Sequence, residues 1–167
     1  MARAFSRRAG AVTHGRSPSA ALVVDTNILV STILSARRRP SWMLASARRR
    51  LLVSTEAVAE AVAVIAHNSG RFPYAPAHAE ALIALLEAPS PRLYNALMPE
   101  AAVALRDAPA SRNGSVKDAH ILALAWTFDA DIWSHDRDFA GTGWPSWSSA
   151  NLAAALSTEA GASAAQP

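Results

Sequence analysis

The chain has 167 residues, and 51% of them are hydrophobic, which is enough for one domain with a sizeable core and excludes disorder throughout. It has no cysteine, which excludes disulfides and zinc–thiolate sites and fits a cytoplasmic protein, and no apolar run approaches the roughly 18 residues of a membrane span. The net charge of +3 hides a split: residues 1–50 hold ten arginines and one acid, a net +9, whereas residues 51–167 hold six bases and twelve acids, a net −6. Such asymmetry suggests a polyanionic partner on the basic side.

Residues 1–19 are rich in Arg, Ala and Ser and carry no acid, and they are expected to form a disordered basic tail. The β-branched run "ALVV" (21–24) reads as a buried strand. A helix is expected from Asn27 to about Ala36, and Pro40 suits the first turn of another covering "SWMLASARR". "LLVS" is a second short strand. Ser54 or Thr55 then caps "EAVAEAVAVIAHN", which stops at Asn68-Ser69-Gly70. "APAHAEALIALLEA" is helical, "PRLYNAL" is expected as a strand, and Pro99 starts "PEAAVALRDA". After the polar loop "SRNGS" comes the helix "VKDAHILALAWTF", then the strand "ADIWSHD", and "PSWSS" as a short strand or turn. The end of the chain, 153–167, is expected to fray. Residues 20–152 are thus one domain in which strands alternate with helices. That pattern predicts a three-layer α/β/α fold around a central, mostly parallel sheet. The GxGxxG, P-loop and HExxH motifs are absent.

Several acids recur where elements begin or end. Asp25 follows the first strand, where it could cap the next helix or hold a metal at the sheet's carboxyl end. Glu56 lies in the first turn of its helix, where the dipole accounts for it. Glu60, four residues on, is flanked by Val58, Ala61, Val62 and Ile65, so it falls at or near the buried face, where an acid needs a reason. Ser115 and Asp118 have capping-box spacing, yet the helix they open is apolar almost throughout and must be central. Asp136 and Asp138 follow the strand "DIW" and would also suit a polar turn. If these strands are parallel neighbours, their acids converge. Each like-charge pair at about 4 Å would cost on the order of 4 kcal/mol at an effective dielectric near 20. A divalent cation with hard oxygen ligands would relieve that repulsion, and Mg²⁺ or Mn²⁺ suits such a site.

"VVDTNILVS", "LVSTEAVAEAV", "KDAHILALA" and "IWSHDRDF" together resemble the motifs of PIN-domain nucleases, close to the VapC-type toxins, in order and spacing from about Leu22 to Trp147. The resemblance implies a metal-dependent endoribonuclease that hydrolyses RNA phosphodiester bonds, as the toxin of a toxin–antitoxin pair. Its acidic set falls on Asp25, Glu60, Asp118 and Asp136. Asp25, Asp118 and Asp136 would hold Mg²⁺ or Mn²⁺, and Glu60 would hold or deprotonate a water. Thr26, Asn27, Ser134 and Asp138 fall where supporting groups stand. RNA is the implied substrate; a cognate antitoxin and a homodimer stay open. The N-terminal tail departs from the family pattern, in which the chain starts close to the first strand.

Arg37-Arg38-Arg39 and Arg48-Arg49-Arg50 bracket the second helix. They are either solvated helix ends or a grip on RNA phosphates or on an acidic antitoxin segment. The five histidines form no pair with ligand spacing and are assigned to surface or packing roles. Two other readings are open. One is a PIN-like module that binds RNA or a partner without cutting. The other is a Mg-dependent phosphatase of the haloacid-dehalogenase type, which uses D-x-D; here Asn27 stands at the second position.

Overall fold

The computed structural model describes residues 16–108 and 116–164. Four short strands, β1 (Ala21–Val24), β2 (Arg50–Leu52), β3 (Asp131–Trp133) and β4 (Ser146–Trp147), form one sheet in the order β2-β1-β3-β4. Every pairing is parallel, with Leu22 opposite both Leu51 and Asp131. Side chains alternate across the pleat, so each strand serves two cores. Leu22 and Val24 join the core built by α1 (Thr26–Leu34), α2 (Arg39–Ser46), α3 (Thr55–Asn68), α4 (Ala75–Ile83) and the C-terminal helix. Ala21 and Val23 join the core built by α5 (Met98–Arg106), α6 (Ala119–Phe128) and the single turn α7 (Asp138–Gly141). This is the expected three-layer α/β/α arrangement.

Burial explains why these runs take these shapes. Strands covered on both faces must be apolar on both sides, and all four residues of β1 are buried. The central helix α6 is buried without interruption from Ala119 to Ala125, as a helix apolar all round must be. Asp129 closes it at φ 48°, a left-handed geometry that a short polar side chain tolerates. Trp42 packs on Trp133 with ring centroids 5.7 Å apart, beneath the first layer of helices.

Three expectations are corrected. "PRLYNAL" is not a strand: it makes two 3₁₀ turns, Pro91–Leu93 and Asn95–Leu97. Pro91 fixes φ at the start of the first turn, and Tyr94 turns inward to full burial while Leu93 stays exposed. The frayed end expected for 153–167 is, through Ala164, part of α8 (Ser149–Ala164), which buries Leu152 and Leu156. Of the expected N-terminal tail, Arg16 to Ser19 is bound to the sheet: Arg16 pairs with Asp131 at 2.8 Å, and the Ser19 hydroxyl accepts the Asp131 N–H at 2.8 Å. The remainder of that tail, the loop "SRNGS" with Ser115, and residues 165–167 lie outside the described residues.

Candidate active site

β1 continues into β2 on one side of it and pairs with β3 on the other, so the strand order reverses between β1 and β3. In a parallel sheet that switch point opens a crevice at the carboxyl ends of the strands. Asp25 directly follows β1 there, and Ser134, His135 and Asp136 directly follow β3. The backbone locks the two tips together, with the Asp25 N–H on the Trp133 carbonyl at 3.0 Å.

Asp25 occupies the N-cap position of α1, but its side chain makes no capping bond. The Asp25 carbonyl takes the Ile28 and Leu29 N–H groups instead. Its carboxylate faces the crevice, where Oδ2 accepts from the Ser134 hydroxyl at 2.5 Å and from the Asn27 amide at 2.6 Å. Ser134 accepts the Asp136 N–H at 2.8 Å, and Asn27 Oδ1 accepts the His135 N–H at 3.4 Å. One hydroxyl and one amide thus tie the two strand tips into a single unit. Asp136 in turn accepts the Asp138 N–H at 2.9 Å, which fixes the entry to α7.

Burial pushes the Asp25 pKa up to about 6, and the charges of Asp118 and Asp136 push the same way, against the bonds from Ser134 and Asn27. Asp118 ends a 3₁₀ turn and stands at the N-cap of α6 without a side-chain capping bond. Thr26, almost fully buried, donates to Glu60 at 2.8 Å. Glu60 itself is exposed, at the rim rather than on the buried face expected for it. Asp138 lies in the first turn of α7, half-buried.

The structure also draws in residues that sequence reasoning missed. His120 is buried and bonded through Nδ1 to the Ser54 hydroxyl at 2.8 Å, and Ser54 also caps α3 by accepting the Ala57 N–H. This joins the N-terminus of α3, which carries Glu60, to that of α6, beside Asp118. Burial holds the His120 pKa below its ordinary value, while Glu56, Asp118 and Glu60 act against that shift. Glu56 does sit in its helix's first turn, but it also accepts the Tyr94 hydroxyl at 2.7 Å. Burial raises the Glu56 pKa, but the bonds from Tyr94 and Thr55 outweigh it and hold Glu56 below the usual carboxylate range. The only sequence signal for this group was an ionisable residue inside an apolar helix, at His120.

The two arginine clusters part company. Arg38 reaches His135 at 3.5 Å, on the mouth of the crevice. Arg48 to Arg50 lie at the amino end of the sheet, where Arg49 pairs with Glu159 at 2.5 Å and Arg50 with Glu87 at 2.7 Å. The second cluster is therefore far from the candidate site, and two of its three charges are matched.

Among the described residues, no three acidic or histidine side chains stand close enough together to enclose a metal ion. The chemistry of the set still fits a hard divalent cation. It is all oxygen, it is anionic, and its buried member is raised by burial and further by its neighbours' charges. Among the described residues no helix is long and apolar enough to cross a membrane. A family model described as the PIN domain matches residues 23–157. No curated protein matches the chain.

Proposed function

The chain belongs to the PIN-domain family, whose members are in general nucleases that need divalent metal ions, and from that premise we propose that it is an endoribonuclease using Mg²⁺ or Mn²⁺. The observation that carries the reading is Asp25, a carboxylate held by Ser134 and Asn27 instead of capping its helix, and raised first by its burial and then by the charges of Asp118 and Asp136.

Asp25, Asp118 and Asp136 would hold the ion. When bound, such an ion makes a water nucleophilic near neutral pH and offsets charge on the scissile phosphate. Ser134 and Asn27 orient the Asp25 carboxylate and hold the two strand tips in register. Glu60, fixed by Thr26, stands at the rim as the proton acceptor for the attacking water. Asp138 supports Asp136 through the α7 turn. The resemblance of the four acidic motifs to those of VapC-type proteins supports the toxin branch of the family, with RNA as substrate, a cognate antitoxin as partner and the cytoplasm as the site of action. The domain that carries this activity spans 20–152, extended by α8.

The test is cleavage of a mixed RNA pool with and without Mn²⁺, with the new ends mapped. Cleavage should need Mg²⁺ or Mn²⁺ and stop in EDTA. Water as nucleophile leaves no cyclic phosphate, because the ribose 2′-hydroxyl takes no part. Metal-independent cleavage, or cyclic-phosphate ends, would overturn the reading.

A further inference from the structure

The loop between α3 and α4 reads Arg71-Phe72-Pro73-Tyr74, one charge followed by two aromatic rings either side of a proline. The Arg71 guanidinium lies 5.3 Å from the Phe72 ring centroid. Phe72 meets Tyr74 edge-on at 6.0 Å, and Tyr74 meets the His78 ring at 5.1 Å. Arg39 Nη2 lies 3.0 Å from His78 Nδ1, and its neighbour Arg38 reaches His135. His135 donates its backbone N–H to Asn27, which holds Asp25. Residue by residue, these contacts lead from the α3–α4 loop to the buried acid of the crevice.

Phe72 and His78 are half-buried, with Phe72 anchored on the core, and the rest of the strip is exposed. Tyr74 is 44% exposed although it is a large aromatic, and its hydroxyl is pinned on the Leu34 carbonyl at 3.2 Å, which fixes the ring in place. Arg37, Arg38, Arg39 and Arg71 are exposed, and none takes part in the ion pairs formed among the described residues. The contrast with Arg49 and Arg50 at the other end of the sheet is direct.

We infer that Arg71, Phe72, Tyr74, His78, Arg39 and Arg38 form a binding track for single-stranded RNA leading into the active site. The inference deepens the nuclease reading and rests on it for the place where the track ends. Arginines alone would serve any polyanion. Aromatic faces interleaved with them serve a strand whose bases are free to stack, which a duplex hides. An acidic peptide would use the arginines and gain nothing from fixed rings.

The experiment is fluorescence anisotropy of the full chain in EDTA, where nothing is cut, with a labelled twelve-nucleotide poly-U strand, a hairpin duplex of the same RNA class and a Glu-rich peptide as probes. The single strand should bind tighter than the duplex. Tyr74→Leu should weaken its binding by about tenfold, the scale of one lost stacking platform, and Tyr74→Phe should restore most of it. Arg39→Gln, at an exposed position, should lower the slope of log affinity against log salt by about one; it serves as the deciding variant if Tyr74→Leu does not fold. Equal single-strand binding by wild type, Tyr74→Leu and Arg39→Gln would overturn the track. So would losses confined to the peptide, which would mark a protein-docking face. If wild type cleaves RNA in Mn²⁺ while these variants bind normally, the track fails and the nuclease reading survives. If wild type cleaves nothing while the variants lose single-strand binding, the reverse holds.

Discussion

Two buried aspartates stand at opposite ends of neighbouring strands and are treated in opposite ways. Asp131 opens β3 at the amino end, 2% exposed, and Asp25 follows β1 at the carboxyl end, 5% exposed. Asp131 receives the Arg16 guanidinium at 2.8 Å, the Trp147 indole N–H at 2.8 Å and the Ser19 N–H at 3.1 Å. Asp25 receives a hydroxyl and an amide and is opposed by the charges of two further carboxylates, Asp118 and Asp136. Burying a charge is costly unless the fold supplies an opposite one. At the amino end the chain supplies it from its own N-terminal segment. At the carboxyl end the charges acting on Asp25 among the described residues repel it. The difference teaches where an exogenous cation would be welcome.

The largest expected effect is on activity. Under the proposed function, Asp25→Asn should lower kcat for RNA cleavage by at least about a hundredfold, measured at saturating Mn²⁺. Asp131→Asn, at the matched end, should leave kcat unchanged below its melting temperature. Equal losses at the two ends would erase the distinction.

Stability should respond the other way. Asp131→Ala removes the acceptor of Arg16, Trp147 and Ser19 together, and should cost about 3 kcal/mol in denaturant unfolding, a value moderated because Arg16 is partly exposed. A cost near zero would mean that the N-terminal segment contributes nothing to the sheet.

Asp25→Asn should instead stabilise the protein in EDTA, with a sign that depends on pH. The folded pKa of about 6 lies above the ordinary carboxyl value of 3.8. The wild-type penalty is therefore absent below pH 3.8, grows between 3.8 and 6, and is complete above 6. Near pH 7.5 the variant should be the more stable by about 1–3 kcal/mol, and near pH 4 the gap should close. Added Mn²⁺ should narrow or reverse the order, because only wild type keeps its full ligand set and gains binding energy. A gap that does not move with pH or metal would mean that the Asp25 charge is not what the variant relieves, and the metal-site role would fail.

The carboxyl end was legible in the sequence for a local reason. An apolar run that stops on Asp25, and another followed by Asp136, each fit within a dozen residues. The partnerships that complete the site are not local. Ser54 meets His120 across 66 positions and Tyr94 meets Glu56 across 38, and no periodicity carries such pairs. Asp131 went unread because its cation, Arg16, is 115 residues away, in a stretch that composition alone marks as tail. "PRLYNAL" misled because Leu93 and Tyr94 look strand-like, although Pro91 and Pro99 confine the segment to turns. The C-terminal helix was hidden by its Ser, Thr and Gly residues. Its helix-favouring alanines, and Leu152 and Leu156 four apart on one face, carried the better signal.

The smallest expected effect tests the comparison at the level of whole arginine clusters. Sequence alone treats Arg37–Arg39 and Arg48–Arg50 as equivalent brackets of α2. The fold puts the first at the crevice mouth and the second at the matched end, where Arg49 is held by Glu159 and Arg50 by Glu87. Arg49 is largely buried and ion-paired with Glu159 of α8, so this pair fastens α8 to the end of α2. Arg48 is exposed and takes part in none of the ion pairs among the described residues, so it isolates the effect of charge without disturbing packing. Arg48→Glu should change single-strand RNA affinity by less than about twofold and leave the salt slope where it was, because a phosphate contact that is not made releases no counterion. Arg38→Glu, the same reversal at the other end of the helix, should both weaken binding and flatten the slope. Matching losses from the two reversals would mean that RNA wraps around α2 to the amino end of the sheet, and the division of labour between the two ends would fail.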